Sequence, residues 1–332
     1  MRFASKAVLL LLPVSVFADA WLRRDGLPVQ LLEPGQWEAE QAIYAMHTYP
    51  FKPFSAASVE NALATPTDWR QLGAVTPAKD QGAHPFCGTF GRVATFEGQF
   101  ALRAPNKELV SFSEEMLVDC IGWDKDQFTY VAKNGLMNTS DYQYDVSPHA
   151  DVDPPIPGHP CKFNFSEVVP WTNYPDRSSA VSPWTGLTGS APSESQLVAF
   201  VHRNGPVAVG IASFIFGLRA KGCEATKTCV ITPGMCQDPR MKGKVIDHAV
   251  TLVGYGTSAE HADYWIVKNS WSEAFANDGF INVPRGIGCA GLTGAAGLMM
   301  YGEPSTYYEA TTSPVSQINP ALLKSKPLTV LV

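Results

Sequence analysis

Three residues far apart in the chain constrain its fold more than any other feature. Cys87 ends the loop Gln81-Gly82-Ala83-His84-Pro85-Phe86 and opens a helical stretch. His248 follows 161 positions later (248 − 87) and Asn269 182 positions later (269 − 87). A thiol, an imidazole and an amide in this order can form a thiolate–imidazolium nucleophile, provided the fold brings two distant halves of the chain face to face. A thiol ordinarily titrates near 8.5. The positive end of a helix dipole and a contacting histidine both lower that value. Taken singly, each residue has a plainer reading. An isolated cysteine is most often a small buried apolar side chain, and a histidine or asparagine by itself says little.

Length and composition fit a secreted globular chain. The 332 residues suit one or two domains. Hydrophobic content of 45% and charged content of 17% describe an ordinary folded chain. A net charge of −6, with no basic run, argues against nucleic acid and anionic membrane surfaces as partners. Arg2 and Lys6 flank an apolar stretch at residues 7–17, and Ala18-Asp19-Ala20 offers small residues for cleavage. This reads as a signal peptide over 1–20, too short to span a bilayer, which needs about 20 residues. The expected location is the secretory pathway, ending extracellularly or in a lysosome or vacuole, with no membrane attachment after the signal is removed. Asn138-Thr139-Ser140 and Asn164-Phe165-Ser166 fit the glycosylation pattern, making Asn138 and Asn164 candidate acceptors.

Periodicity changes along the chain. Residues 37–46 have helical composition, with Ala39, Ile43 and Met46 at spacings of three and four. A helix is expected from Cys87 to about Arg103, with Phe90, Val93, Ala94, Gly98 and Ala101 as an inward stripe. Gly88 and Gly91 in its first turns each cost about 1 kcal/mol relative to alanine. A second helix is expected near Ser113. A third is expected near Ser193, where Ser193-Glu194-Ser195-Gln196 is a capping-box pattern, ending at Asn204-Gly205. Residues 207–211, 250–253, 264–267 and 279–283 read as short strands. Helices first and strands later predict an α+β protein in two lobes. Nine prolines between Pro148 and Pro192 predict irregular structure there. Residues 302–332 read as a tail rich in Ser, Thr and Pro.

Several blocks resemble the papain-like (cathepsin) cysteine peptidases. Asp68-Trp69-Arg70-Gln71-Leu72-Gly73-Ala74-Val75-Thr76-Pro77 is similar to that family's mature N-terminus. Ser113-Glu114-Glu115-Met116-Leu117-Val118-Asp119-Cys120 resembles its second helix, and residues 247–256 and 264–279 resemble its histidine and asparagine segments. The blocks bracket roughly residues 66–292 in the right order. The family's spacing from cysteine to histidine is roughly 130–150, so an insertion between the halves accounts for the excess.

The resemblance implies a two-lobed papain-like fold with a helical N-terminal lobe, a barrel-like C-terminal lobe and an active-site cleft between them. It implies a precursor with a pro-segment at 21–65, cut near Ala64–Pro66, a peptidase domain at 66–301 and the tail. Cys87 would be the nucleophile and His248 the acid/base. Asn269 would orient the imidazole, Trp271 would shield that bond, and Gln81 would supply an oxyanion donor. The partners implied are polypeptide substrates, acting on a monomer that needs no cofactor and no metal.

Seven cysteines leave one over. The resemblance suggests Cys120 with Cys161 and Cys236 with Cys289. Cys223 and Cys229 remain and can close a small loop, leaving Cys87 unbridged. The chain departs from the family where His84 replaces a cysteine and where the Cys-Asn-Gly-Gly loop that would bridge to it is missing. It departs again at Gly88, at Pro85-Phe86 and at Phe275. Asp247, Ala249 and Gly210 match the positions lining the non-prime specificity pocket, which should be roomy and apolar unless Phe86 or Trp123 fills it. His84 is a rival base in the loop, and the remaining histidines are expected to be exposed. Gly88 and the lost loop motivate a competing reading, a non-catalytic binding protein on the same scaffold. Ligation through the same acyl-enzyme is a third.

Overall fold

A computed structural model describes residues 49–50, 53–103, 108–122, 127–145, 160–169, 180–182, 193–258, 262–292 and 298–301. The expected signal peptide, the helical stretch at 37–46, Trp123, the tail and most of the proline-rich region lie outside the described residues.

Five helices organise the described chain: α1 (Ala56–Ala64), α2 (Cys87–Arg103), α3 (Glu114–Cys120), α4 (Gln127–Asn134) and α5 (Glu194–Asn204). Ser113 caps α3 by accepting the Met116 N–H at 3.0 Å, satisfying one of the first-turn donors that a helix leaves open. Ser193 caps α5 in the same way through Gln196 N–H. The second half of the expected capping box is absent. The Gln196 side chain instead clasps the Phe54 backbone, accepting its N–H at 2.6 Å and donating to its carbonyl at 3.0 Å. That clasp holds α1 against α5, and neither α1 nor α4 is among the helices expected from the sequence.

The strands are β1 (Tyr49–Pro50), β2 (Thr67–Asp68), β3 (Ala180–Ser182), β4 (Val207–Ile211), β5 (His248–Ser258), β6 (Ala262–Lys268), β7 (Phe280–Pro284) and β8 (Leu298–Tyr301). Their order is β1-β3-β8-β4-β5-β6-β7, with β2 added on β5. All pairs are antiparallel except β1 with β3. In the β4–β5 register Ile211 faces His248, Gly210 faces Ala249 and Val209 faces Val250. Strand β5 is much longer than the four residues expected, because Gly254 and Gly256 read as breaks. Gly254 instead admits β2. A Cβ there would lie 2.3 Å from the Thr67 carbonyl oxygen, so only glycine permits the approach.

Helix α2 corrects the expected one-sided stripe: every residue from Cys87 to Leu102 is buried. Its polar side chains find partners inside. Arg92 donates to Gln127 at 2.9 Å, and Gln99 to the Asn204 carbonyl at 2.6 Å. The helix lies between two apolar cores. One gathers Phe96, Phe100, Phe112, Leu117 and Leu136 around the helical half. The other joins Trp69, Phe200, Val209, Leu252 and Trp265 under the sheet. Gly91 explains its own cost. A Cβ there would meet Ala208 Cβ at 3.3 Å, so the glycine lets helix and sheet close together.

His202 overturns the expectation that the remaining histidines are exposed. It sits one turn after Val198 on the inner face of α5 and is buried, with Nδ1 2.9 Å from Thr67 Oγ1 and 3.2 Å from the Tyr255 hydroxyl. Burial pushes its pKa down, so a neutral imidazole fits this site. Disulfides join Cys120 to Cys161, Cys223 to Cys229 and Cys236 to Cys289, and Cys87 is unbridged.

Candidate active site

Cys87 is the first residue of α2 and His248 the first of β5. The packing of α2 on the sheet sets them at the same end of that contact. A Cβ on Gly91, one turn beyond Cys87, would lie 3.9 Å from Ala249 Cβ, next to His248. Both Cys87 and His248 are fully buried, at 0% exposure.

The His248 ring is fixed from two sides. Its Nε2 lies 2.7 Å from Asn269 Oδ1, and the neighbouring Ser270 N–H also donates to that oxygen at 2.8 Å. An amide oxygen accepts only, so Nε2 carries the hydrogen in this bond. The ring's other nitrogen, Nδ1, has no hydrogen-bond partner and can take a thiol's proton. Trp271 stacks over the imidazole with centroids 4.8 Å apart, and Phe216 and Phe275 meet Trp271 edge-on. This aromatic cover keeps water from competing for the His248–Asn269 bond. Burial pushes the His248 pKa down to about 4, with the Asn269 bond opposing it. The ring is therefore neutral at physiological pH.

Gln81 is buried, and four of its polar atoms are engaged. Its backbone N–H donates to the Ser270 carbonyl at 2.8 Å, and its backbone carbonyl accepts the Tyr144 hydroxyl at 2.7 Å. Ser270 Oγ donates to Gln81 Oε1 at 2.5 Å, and Gln81 Nε2 donates to the His84 carbonyl at 2.7 Å. One N–H of the side-chain amide is thus spent on holding the group in place. An amide nitrogen carries two.

Of the pocket candidates, Ala249 and Gly210 are buried and Asp247 is half-buried. Ala249 and Gly210 are buried neighbours across β4 and β5. Asp247 accepts the Ser213 N–H at 2.8 Å, and burial raises its carboxyl above the usual range despite that bond. Phe86 is buried with Phe90, Val118 and Tyr144, and stacks on His84 at 5.1 Å. Asn138 is half-buried and donates to Asp141 at 3.3 Å, while Asn164 is exposed and caps a short turn.

Sequence reasoning missed a buried charge network behind Asn269. Lys79 Nζ donates to Glu97 at 2.7 Å, to Glu114 at 2.8 Å and to the Phe112 carbonyl at 2.7 Å. Thr76 Oγ1 donates to the second Glu97 oxygen at 2.5 Å and accepts from Lys268 Nζ at 2.8 Å. Burial lowers Lys268 to about 8 and raises Glu114 to about 7. Burial also works against the Lys79 charge, but Glu114 and Glu97 outweigh it and hold Lys79 above its ordinary value. A small cavity of about 20 Å³, room for one water-sized molecule, lies among Lys79, Glu114, Lys268 and Asn269. Part of the signal is in the sequence: Lys268 ends an apolar strand, where a buried charge is rare unless paired, but its partners are not encoded locally.

Known proteins share this arrangement of elements. The family model for papain family cysteine proteases matches residues 63–299. Digestive cysteine proteinase 2 of Homarus americanus is 32% identical over 238 residues, covering 67% of this chain and 62% of that protein. Cysteine proteinase B of Leishmania mexicana is 33% identical over 237 residues, covering 68% of this chain and 46% of its own length. The chain therefore spans less than two thirds of either relative. The digestive procathepsin L 3 of Tenebrio molitor larval midgut is similar in structure, with a TM-score of 0.55 and 26% identity over 79% of this chain and 77% of that one. On the extent of the family match, the chain belongs to the papain family of cysteine proteases.

Proposed function

We propose that this chain is a cysteine peptidase that hydrolyses polypeptides through a Cys87 thioacyl-enzyme. The observation that carries the reading is the His248–Asn269 bond of 2.7 Å under Trp271, which leaves Nδ1 open to the thiol's proton. In the first half-reaction the Cys87 proton passes to His248 Nδ1, and the sulfur bonds to the substrate carbonyl carbon. The carbonyl electron pair moves onto oxygen, where the second Gln81 N–H and the Cys87 backbone N–H donate to it. One such donor is worth about 3–4 kcal/mol. The carbonyl re-forms as the carbon–nitrogen bond breaks, and the leaving amine takes the proton from His248. In the second half, water attacks the thioester and gives a proton to His248. The carbon–sulfur bond breaks, and the proton returns to Cys87.

The chain is read as a precursor entering the secretory pathway. The exposure of residues 63–66, the end of α1 and its link to β2, supports a cut near Ala64–Pro66. Asp247, Ala249 and Gly210 are assigned to the non-prime pocket, reached only after the buried site opens.

A second reading, a binding protein without catalysis, draws on the enclosure of Cys87 and His248 and on Gly88 beside the nucleophile. Peptide turnover and mapping of an epoxide thiol trap on processed protein decide between them. The peptidase reading expects the adduct on Cys87, no turnover in Cys87→Ala and almost none in His248→Ala. Because the pair acts as a unit, the double variant should be little worse than either single one. Turnover retained in Cys87→Ala would end that reading.

A further inference from the structure

We infer that Tyr144 is a positioning residue for the oxyanion donor, tying Gln81 to the helical half of the molecule. The inference rests on the assignment of Gln81 proposed above. Ser270, at the end of β6, holds Gln81 by its backbone N–H and its side-chain oxygen. Those contacts fix the residue to the sheet half. The Tyr144 hydroxyl comes from the opposite side, in the segment that follows α4, and donates to the Gln81 carbonyl at 2.7 Å. Gln81 is thus a junction between the two halves, and the phenol sets its place relative to Cys87, six positions on.

Packing gives the phenol its leverage. The Tyr144 ring meets Phe90 edge-on at 5.0 Å and packs with Phe86 and Val118. Phe90 lies one turn into α2, so the ring that holds Gln81 also rests on the nucleophile helix. Phe86 stacks on His84, whose carbonyl accepts the Gln81 amide N–H. The loop from Gln81 to Cys87 carries no disulfide, because position 84 is histidine. Tyr144 and this aromatic cluster tie the loop to α2 and α3. A displacement of a few tenths of an ångström in a preorganised donor weakens the bond it makes to developing charge. The phenol therefore acts on the transition state through Gln81 and touches no reacting atom.

Tyr144→Phe removes the hydroxyl and keeps the ring. Its expected effect is a fall in kcat of roughly three- to tenfold, the size of one lost hydrogen bond, with KM little changed. The rate of epoxide trapping at Cys87 should stay near that of the wild type, because Cys87 and His248 are untouched. Affinity for a peptide aldehyde, whose thiol adduct carries the oxyanion, should fall by the same factor as kcat. Leu136→Ala serves as the packing control, since it loosens the neighbouring core of the helical half, outside the Tyr144 cluster, without removing a side-chain hydrogen bond. It should lower Tm while leaving kcat and aldehyde affinity in place. Wild-type kcat in Tyr144→Phe would overturn the inference. So would a trapping rate at Cys87 that falls together with kcat, as a general loosening of the site would produce. Gln81→Ala separates the two levels. If it leaves kcat and aldehyde affinity unchanged, the oxyanion assignment itself fails. If it lowers both and Tyr144→Phe lowers neither, only the role of Tyr144 fails. Should Tyr144→Phe not fold, the hydroxyl is structural and the inference is likewise overturned.

Discussion

His248 shows how a single residue serves two incompatible needs. Its enclosure under Trp271 protects the bond to Asn269, and the same enclosure disfavours its charged form. In the folded chain the imidazole titrates near 4, against 6.5 when unburied. Between those values the unfolded chain binds more protons than the folded one, so stability rises with pH across that window and is lost as pH falls towards 4. In a Cys87→Ala background, where no ion pair with the thiolate can form, His248→Gln should flatten this part of the Tm profile. An unchanged slope between pH 4 and 6.5 would place the acid sensitivity elsewhere. Cys87, His248 and Asn269 were legible because each sits in a recognisable block. Tyr144 was not, because a phenol's partner is set by how a loop returns to α2, and no local spacing encodes that return.

Among the elements, α5 illustrates what local patterns encode and what they omit. Its start at Ser193 and its end at Asn204 agree with the capping signals, because those depend on neighbours three residues apart. The destination of Gln196 does not follow from that pattern. The side chain leaves its own helix for the Phe54 backbone, which lies 142 positions away. Gln196→Ala should therefore release α1 more than it harms α5. The expected loss is about 1–2 kcal/mol for two hydrogen bonds, with faster proteolysis at residues 53–66 as the readout. Equal cleavage rates in variant and wild type would show that Ala62, buried in the core under the sheet, is enough to hold the helix. The same limit explains β5. Gly254 looks like a strand breaker until β2 is placed beside it.

Among the described residues the two largest apolar cores are joined along α2 and by the charges of Lys79, Glu97, Glu114 and Lys268. The two-lobed α+β class was readable from the order of helices and strands. The charges between the lobes were not, because their pairing exists only once the halves meet. Glu97 is the centre of the network, bonded to Lys79 and Thr76 and 3.8 Å from Lys268. Glu97→Gln would leave the buried Lys268 ammonium and the half-buried Lys79 ammonium facing Glu114 alone. Breaking such a network costs about 3–5 kcal/mol, measurable as a lower denaturant midpoint. A loss under 1 kcal/mol would mean that Lys268 sheds its proton instead, which its value near 8 makes accessible.

The burial of Cys87 bears on how this molecule survives before it acts. Six cysteines are committed to bridges and the seventh is a thiol. Thiolates attack disulfide sulfurs and scramble them, and oxidants carry exposed thiols to sulfenic and then irreversibly to sulfonic acid. Both processes require the sulfur to be ionised and reachable. Enclosed at 0% exposure, Cys87 is not reachable. Burial at this site thus also acts as a preservative, shielding the one unbridged cysteine sulfur that sits among three disulfides.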